Sequence, residues 1–226
     1  MTRPILIFDL DGTLIDSAPD IHAACARLLE GEGEQPLAFE VIRSFIGNGV
    51  PVLIDRIIAA TALDPARKDR YLAAFLEDYG AHATDLTFPY PGVIEALDAF
   101  RKDGFSLAVC TNKPEAPTLA ILSALQLEGY FEGVVGGDTL ADRKPDPAGL
   151  IHLRQRLGHG PVVFVGDSEV DAETALRAGV PFALFSQGYC KVPFSDLTFA
   201  GQFQHFADLR PLVFKLLAEM PVPARG

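Results

Sequence analysis

The feature that most restricts the fold is a short apolar run that recurs five times and always stops abruptly at small or polar residues. PILIF at 4–8 ends at Asp9, FSLAVC at 105–110 at Thr111-Asn112-Lys113, and GVV at 133–135 at Gly136-Gly137-Asp138. VVFV at 162–165 ends at Gly166-Asp167-Ser168, and FALF at 182–185 at Ser186-Gln187-Gly188. Uninterrupted β-branched and aromatic runs of this length suit strands buried on both faces of a parallel sheet. Between them the period lengthens to that of a helix. Val93, Leu97 and Phe100 share a face, as do Leu119, Leu122 and Leu125, then Leu150, Leu153 and Leu157, then Ala172, Ala175 and Leu176. Gly104, Gly158 and Gly179 punctuate three of these segments. Strand–helix alternation requires right-handed crossovers, so the expected class is α/β, a doubly wound, Rossmann-like parallel sheet.

Residues 17–85 break the alternation and show only helical patterns. They are expected to form a small helical cap inserted after the first strand. The core domain would comprise 1–16 and 86–226, with hinges near Asp16–Ser17 and around Asp85–Pro91. A last helix is expected over 206–220, followed by a frayed tail at 221–226. The N-terminal apolar run is too short for a secretory signal, and no segment reaches the ~20 apolar residues of a membrane span. Cys25, Cys110 and Cys190 are odd in number and widely spaced. They read as small buried hydrophobes in a reducing cytoplasm. A net charge of −11 opposes binding to nucleic acid or to an anionic membrane surface.

Ligands of an open α/β sheet bind outside the carboxyl ends of its strands. The residues expected there are Asp9 and Asp11, Thr111 and Asn112, Asp167 and Asp171, with Lys144 opening the helix after the third strand. Carboxylates gathered this closely repel, and a hard divalent cation removes the conflict. Mg2+ is usually held by one or two carboxylates plus a substrate phosphate, so the cluster implies Mg2+ and a phosphate together. Asp9 is the candidate nucleophile. Asp11, two residues on, is the candidate acid/base that protonates the leaving oxygen and later activates water. Thr111, through its hydroxyl and backbone N–H, and Lys144, through its charge, would hold the phosphoryl oxygens. Asp171 fits a supporting role, holding Lys144 or a metal-bound water. In the cap, Arg43 could pair a substrate carboxylate, and Asn48, in Gly47-Asn48-Gly49, lies in a candidate substrate loop. The five histidines show no ligand spacing.

DLDGT at 9–13, TN at 111–112, KPDP at 144–147 and GDSEVD at 166–171 together resemble the haloacid dehalogenase superfamily of phosphohydrolases. The resemblance covers nearly the whole chain to about residue 190 and is nearest to its bacterial phosphoglycolate phosphatases. It implies that Asp9 is the nucleophile, Asp11 the acid/base, and Thr111 and Lys144 the phosphoryl-binding pair. It implies that Mg2+ is bound by Asp9, Asp167 and the backbone carbonyl of Asp11, and that the helical insert is a cap selecting the leaving group. The implied partner is a small phosphorylated metabolite, first of all 2-phosphoglycolate. A sugar-phosphate phosphatase or phosphomutase, a pyrophosphatase and a phospho-accepting signalling module stay open as alternatives.

Overall fold

The structure is a computed structural model that describes residues 3–220; the tail expected at 221–226 lies outside the described residues. The chain begins with β1 (Ile5–Phe8) and a short β2 (Ile15–Asp16). Four helices follow in succession: α1 (Ala18–Gly31), α2 (Phe39–Phe45), α3 (Val50–Ala60) and α4 (Lys68–His82). After β3 (Phe88–Pro89) come α5 (Val93–Lys102), β4 (Ser106–Cys110), α6 (Glu115–Ala124), β5 (Gly133–Val135) and α7 (Ala148–Arg156). The chain closes with β6 (Val162–Gly166), α8 (Glu169–Ala178), β7 (Phe182–Phe185), β8 (Gly201–Phe203) and α9 (Phe206–Glu219).

Six strands form one parallel sheet in the order β5-β4-β1-β6-β7-β8. The chain winds outward from β1 through β4 to β5, then returns beside β1 with β6 and winds the other way. The doubly wound α/β class is therefore realised. Alternation along β1 explains its burial on both faces. Leu6 and Phe8 enter the larger apolar cluster with residues of α5, α6, α9 and the four consecutive helices, whereas Ile5 and Ile7 enter a smaller one with α7 and α8.

Several local expectations need correction. The periodicity groups Leu119 with Leu122 and Leu176 with Ala172 and Ala175 on common helical faces, yet Leu119 and Leu176 are exposed. In α6 the buried positions are Thr118, Ile121 and Leu122, one residue out of step with the leucine pattern. Within the helical pattern of residues 17–85, α2 and α3 are separated at Gly47 and Gly49, both with positive φ. Lys144 does not open a helix; it lies in the loop four residues before α7. Cys25 and Cys110 are buried, but Cys190 is only half-buried.

The chain leaves the sheet through β2 and returns through β3, and these two pair antiparallel. Asp20, buried on α1, ties the return. Its carboxylate accepts from the backbone N–H of Leu86 at 3.0 Å and of Thr87 at 2.8 Å, and from the Thr87 hydroxyl at 2.7 Å. Removing it strands two backbone donors at the junction. Asp20→Ala is therefore expected to cost about 2–4 kcal/mol of stability, read as a lower urea midpoint at unchanged slope.

Candidate active site

Register decides what meets at the carboxyl edge. Phe8 is level with Val109 of β4 and with Val165 of β6, and the Asp9 N–H still donates to the Val165 carbonyl at 2.8 Å. Asp9 therefore emerges at the centre of the edge, with Thr111 following β4 on one side and Asp167 following β6 on the other. This is where the winding reverses, the place in such sheets where a crevice opens.

Two buried ion-paired groups occupy the edge. In the first, Lys144 Nζ lies 2.8 Å from Asp9 Oδ1 and 2.6 Å from Asp171 Oδ1. Burial alone would depress the Lys144 pKa, but the carboxylates of Asp171 and Asp9 outweigh it and the ammonium is held charged. The other oxygen of Asp171 accepts from the Ser168 N–H at 3.1 Å and its hydroxyl at 2.6 Å, completing the capping box that starts α8. Asp171 thus holds Lys144 and caps its helix at once. In the second group Lys113 Nζ bridges both oxygens of Asp11, at 2.9 and 3.0 Å, and the Ser17 hydroxyl donates to Asp11 Oδ1 at 2.5 Å.

Asp167 is gripped by the loops that enclose it. The Thr13 hydroxyl donates to its Oδ1 at 2.7 Å and the Tyr189 N–H to its Oδ2 at 2.6 Å. Such close approach needs glycine at two places. A Cβ on Gly188 would come within 2.3 Å of Asp167 Cβ, and one on Gly12, at φ +85°, within 2.6 Å of Asp167 Oδ2. Tyr189 also reaches the point where α1 begins. Its hydroxyl donates to Asp16 Oδ1 at 2.6 Å and accepts from the N–H groups of Ser17 and Ala18 at 2.9 and 3.0 Å. One side chain therefore links the Asp167 loop to the start of the helical segment.

The residues present fit a hard divalent cation. Asp9, Asp167 and Asp171 each place a carboxylate oxygen within 4.8 Å of the others, all buried. Burial, opposed by Lys144 but aided by Asp171, pushes the Asp9 pKa up to about 7. Burial and the charges of Asp171 and Asp9 raise that of Asp167 well above the usual carboxylate range. Asp9 Oδ1, despite its contact with Lys144, receives no aligned hydrogen bond. Since Asp171 is engaged by Lys144 and the cap of α8, Asp9 and Asp167 are the side chains that would hold the ion. The Asp11 carboxylate is turned away toward Lys113.

A cleft opens from Asp9, Asp11 and Thr111 toward α3 and α4, with Ile46, Val50, Leu53 and Phe75 among its apolar lining. Three sequence expectations, for the Thr111 N–H, Asn48 and Arg43, change here. The Thr111 N–H donates to the Val135 carbonyl at 2.9 Å, so only its hydroxyl is available to a ligand. The Asn112 amide NH2 donates to the Gly47 and Lys144 carbonyls, both at 3.0 Å, joining the edge to the segment between α2 and α3, while the residue lines the cleft and its Oδ1 receives no hydrogen bond. Asn48 accepts from Arg56 Nη2 at 2.9 Å. Arg43 donates to the Gly188 carbonyl at 2.8 Å and lies over the Tyr189 ring at 5.4 Å. Neither Arg43 nor Asn48 is among the residues lining the cleft. Sequence reasoning gave no role to Lys113, Tyr79 or Tyr189. The only signal for Lys113 was its place at the strand end, two residues after Thr111.

A parallel sheet with buried carboxylates, a charged lysine and a threonine hydroxyl at its winding reversal, roofed by helices, defines a hydrolase of the phosphatase class. The family model described as haloacid dehalogenase-like hydrolase matches residues 6–185, and this chain belongs to that family. A protein from Cereibacter sphaeroides named phosphoglycolate phosphatase is 48% identical over 217 residues, covering 95% of this chain and all of the relative. A Rhodobacter capsulatus protein of the same name is 42% identical, with 93% of this chain and 96% of the relative covered. Among solved structures, one described as a predicted phosphoglycolate phosphatase from Haemophilus somnus superposes with a TM-score of 0.89 at 29% identity, covering 94% of this chain and 99% of that one. No helix among the described residues is long and apolar enough to cross a membrane.

Proposed function

We propose that this phosphatase is Mg2+-dependent and hydrolyses 2-phosphoglycolate to glycolate and phosphate through an aspartyl-phosphate on Asp9. The observation that carries the reading is the placement of Asp9, buried at the head of the cleft between Lys144 and the carboxylate of Asp167. The names of the relatives support the choice of ester. When held by Asp9, Asp167 and the Asp11 carbonyl, Mg2+ would draw negative charge from the phosphoryl oxygens.

The chain's own residues supply the rest. An oxygen of Asp9 attacks phosphorus and the bond to the ester oxygen breaks, while Asp11 gives that oxygen a proton. Water then attacks the phosphorus, Asp11 takes a proton from it, and the bond to Asp9 breaks. Lys144 and the Thr111 hydroxyl neutralise and orient the phosphoryl oxygens. A cytoplasmic site of action belongs to the same reading and is supported by three free cysteines, two of them in the core.

The chain's −11 charge does not conflict with an anionic substrate if the ion reverses the local sign at the crevice. Chelation should therefore abolish both turnover and ester binding. A phosphate-release screen over small phosphorylated metabolites with Mg2+ should rank 2-phosphoglycolate above sugar phosphates and pyrophosphate. Ester binding unchanged in EDTA would contradict the metal assignment, and a sugar phosphate ranked first would contradict the substrate.

A further inference from the structure

We infer that Lys113 selects the leaving group: its ammonium, with the Tyr79 hydroxyl beside it, binds an acid group carried one or two carbons from the ester oxygen. The inference rests on the phosphatase reading and specifies what it leaves open, which side chain recognises the substrate's second charge. Among the described residues lining the cleft, Lys113 is the one cation. Lys144, held between Asp9 and Asp171, is committed to the phosphoryl group, and Arg43 is engaged by Gly188. Arg143 does not line the cleft; its guanidinium packs behind the backbone of Gly49, which does.

A second observation points to a ligand at the same spot. Tyr79 lines the cleft and is 3% exposed, yet its hydroxyl has no hydrogen-bond partner. Buried hydroxyls without an aligned partner are uncommon and call for an explanation, and a ligand group in the cleft supplies one. Lys113 Nζ lies over the Tyr79 ring, 4.7 Å from its centroid, and both residues line the same cleft, so the ammonium and the phenol are neighbours there.

Reach sets the size of the substrate. Asp11 must touch the leaving oxygen to protonate it, and Lys113 Nζ lies within 3.0 Å of the Asp11 carboxylate. An anion close to that oxygen meets the ammonium. One several carbons away would lie against Ile46, Val50, Leu53 and Phe75, where a charge loses hydration without compensation. Asp11 is not stranded when Lys113 turns to the substrate, because it keeps the Ser17 hydroxyl at 2.5 Å. The class of substrate is thus a phosphorylated short hydroxy acid.

The test compares kcat/KM for 2-phosphoglycolate and for ethyl phosphate, which lacks the carboxylate. Losing one partner of a buried charge pair lowers affinity by about 30-fold or more, so Lys113→Met should reduce the ratio of the two by at least that factor, chiefly through KM for phosphoglycolate. Lys113→Arg should recover part of it, and Arg143→Ala should leave the ratio at the wild-type value. Tyr79→Phe removes a hydroxyl that no aligned hydrogen bond reaches, so folding should be preserved, and the ratio should fall about 3- to 10-fold. An unchanged ratio in Lys113→Met, or an equal loss on both esters, overturns the proposal. Should Lys113→Met not fold, wild-type ratios in both Lys113→Arg and Tyr79→Phe overturn it as well. The phosphoglycolate reading fails separately, if the wild-type protein itself does not prefer that ester to ethyl phosphate.

Discussion

Asp9→Asn is expected to remove phosphate release by at least about 10^4-fold while leaving the fold intact, because an amide neither attacks phosphorus nor leaves again as a carboxylate. The side chains are nearly isosteric, and the position is enclosed by β1, β4 and β6 at a fixed register. Asparagine also removes one of three crowded buried carboxylates. Burial already disfavours the charge on Asp9, whose pKa is pushed up to about 7. Without metal, the variant should therefore unfold no more readily than the wild type near neutral pH. Phosphate release and thermal unfolding measured on the same preparation separate a chemical defect from a folding one. Residual Mg2+-dependent turnover within 100-fold of wild type, taken roughly as the reach of positioning effects alone, would remove Asp9 from the nucleophile's role.

Lys144→Met should damage both activity and stability. The ammonium neutralises Asp9 and Asp171 at 2.8 and 2.6 Å in a place closed to water. Breaking a buried pair by removing one partner costs about 3–5 kcal/mol, because uncompensated charge stays behind. Loss of the same charge from the phosphoryl oxygens should lower kcat by about 10^2- to 10^3-fold. Activity and stability can be separated by a second change. Lys144→Met combined with Asp171→Asn relieves the stranded carboxylate on α8, so the urea midpoint should recover part of the loss while kcat does not. Non-additive stability with additive loss of rate is the signature of a residue that both neutralises the site and binds substrate. Full stability of the single variant would show that the Lys144 pair does not bear on folding.

The parts of the site that were legible in the sequence are those produced by local chain geometry. A buried strand that ends in an acid puts that acid at the sheet's carboxyl edge, so Asp9, Thr111 and Asp167 could be placed together from three separate apolar runs. Lys144 and Asp171 followed from their position beside such ends, although Lys144 proved to lie in a loop before α7. The residues missed are those whose role is created by contact between distant segments. Lys113 meets Asp11 across 102 positions, and the Tyr189 hydroxyl meets Asp16 across 173. No periodicity encodes such meetings.

The helical segment illustrates the opposite error. Arg43 was a candidate because a guanidinium can pair a carboxylate, and Asn48 because it lies in a glycine-flanked loop of the helical segment. Their direction is set by how α2 and α3 pack, and that packing turns Arg43 to the Gly188 carbonyl and Asn48 to Arg56. The short strands were illegible for another reason. β2 and β3 have two residues each, too few for any pattern to register, and β8, Gly-Gln-Phe, has no apolar run like that of the equally short β5. Helical faces failed where apolar residues are abundant. In α6 leucines stand on the solvent side as well as the core side, so the leucine spacing misplaced the buried face by one residue.

The most direct measurement of the central claim is rapid acid quenching of the protein during turnover of 32P-labelled 2-phosphoglycolate with Mg2+, followed by mapping of the protein-bound phosphate. The account predicts a phosphoenzyme that forms and decays at rates compatible with kcat, is cleaved by hydroxylamine as an acyl phosphate, and carries its label on the peptide containing Asp9. Borohydride should reduce the phosphorylated Asp9 to homoserine. Label on any other residue, or turnover with inversion at phosphorus and no protein-bound phosphate at any quench time, would contradict it.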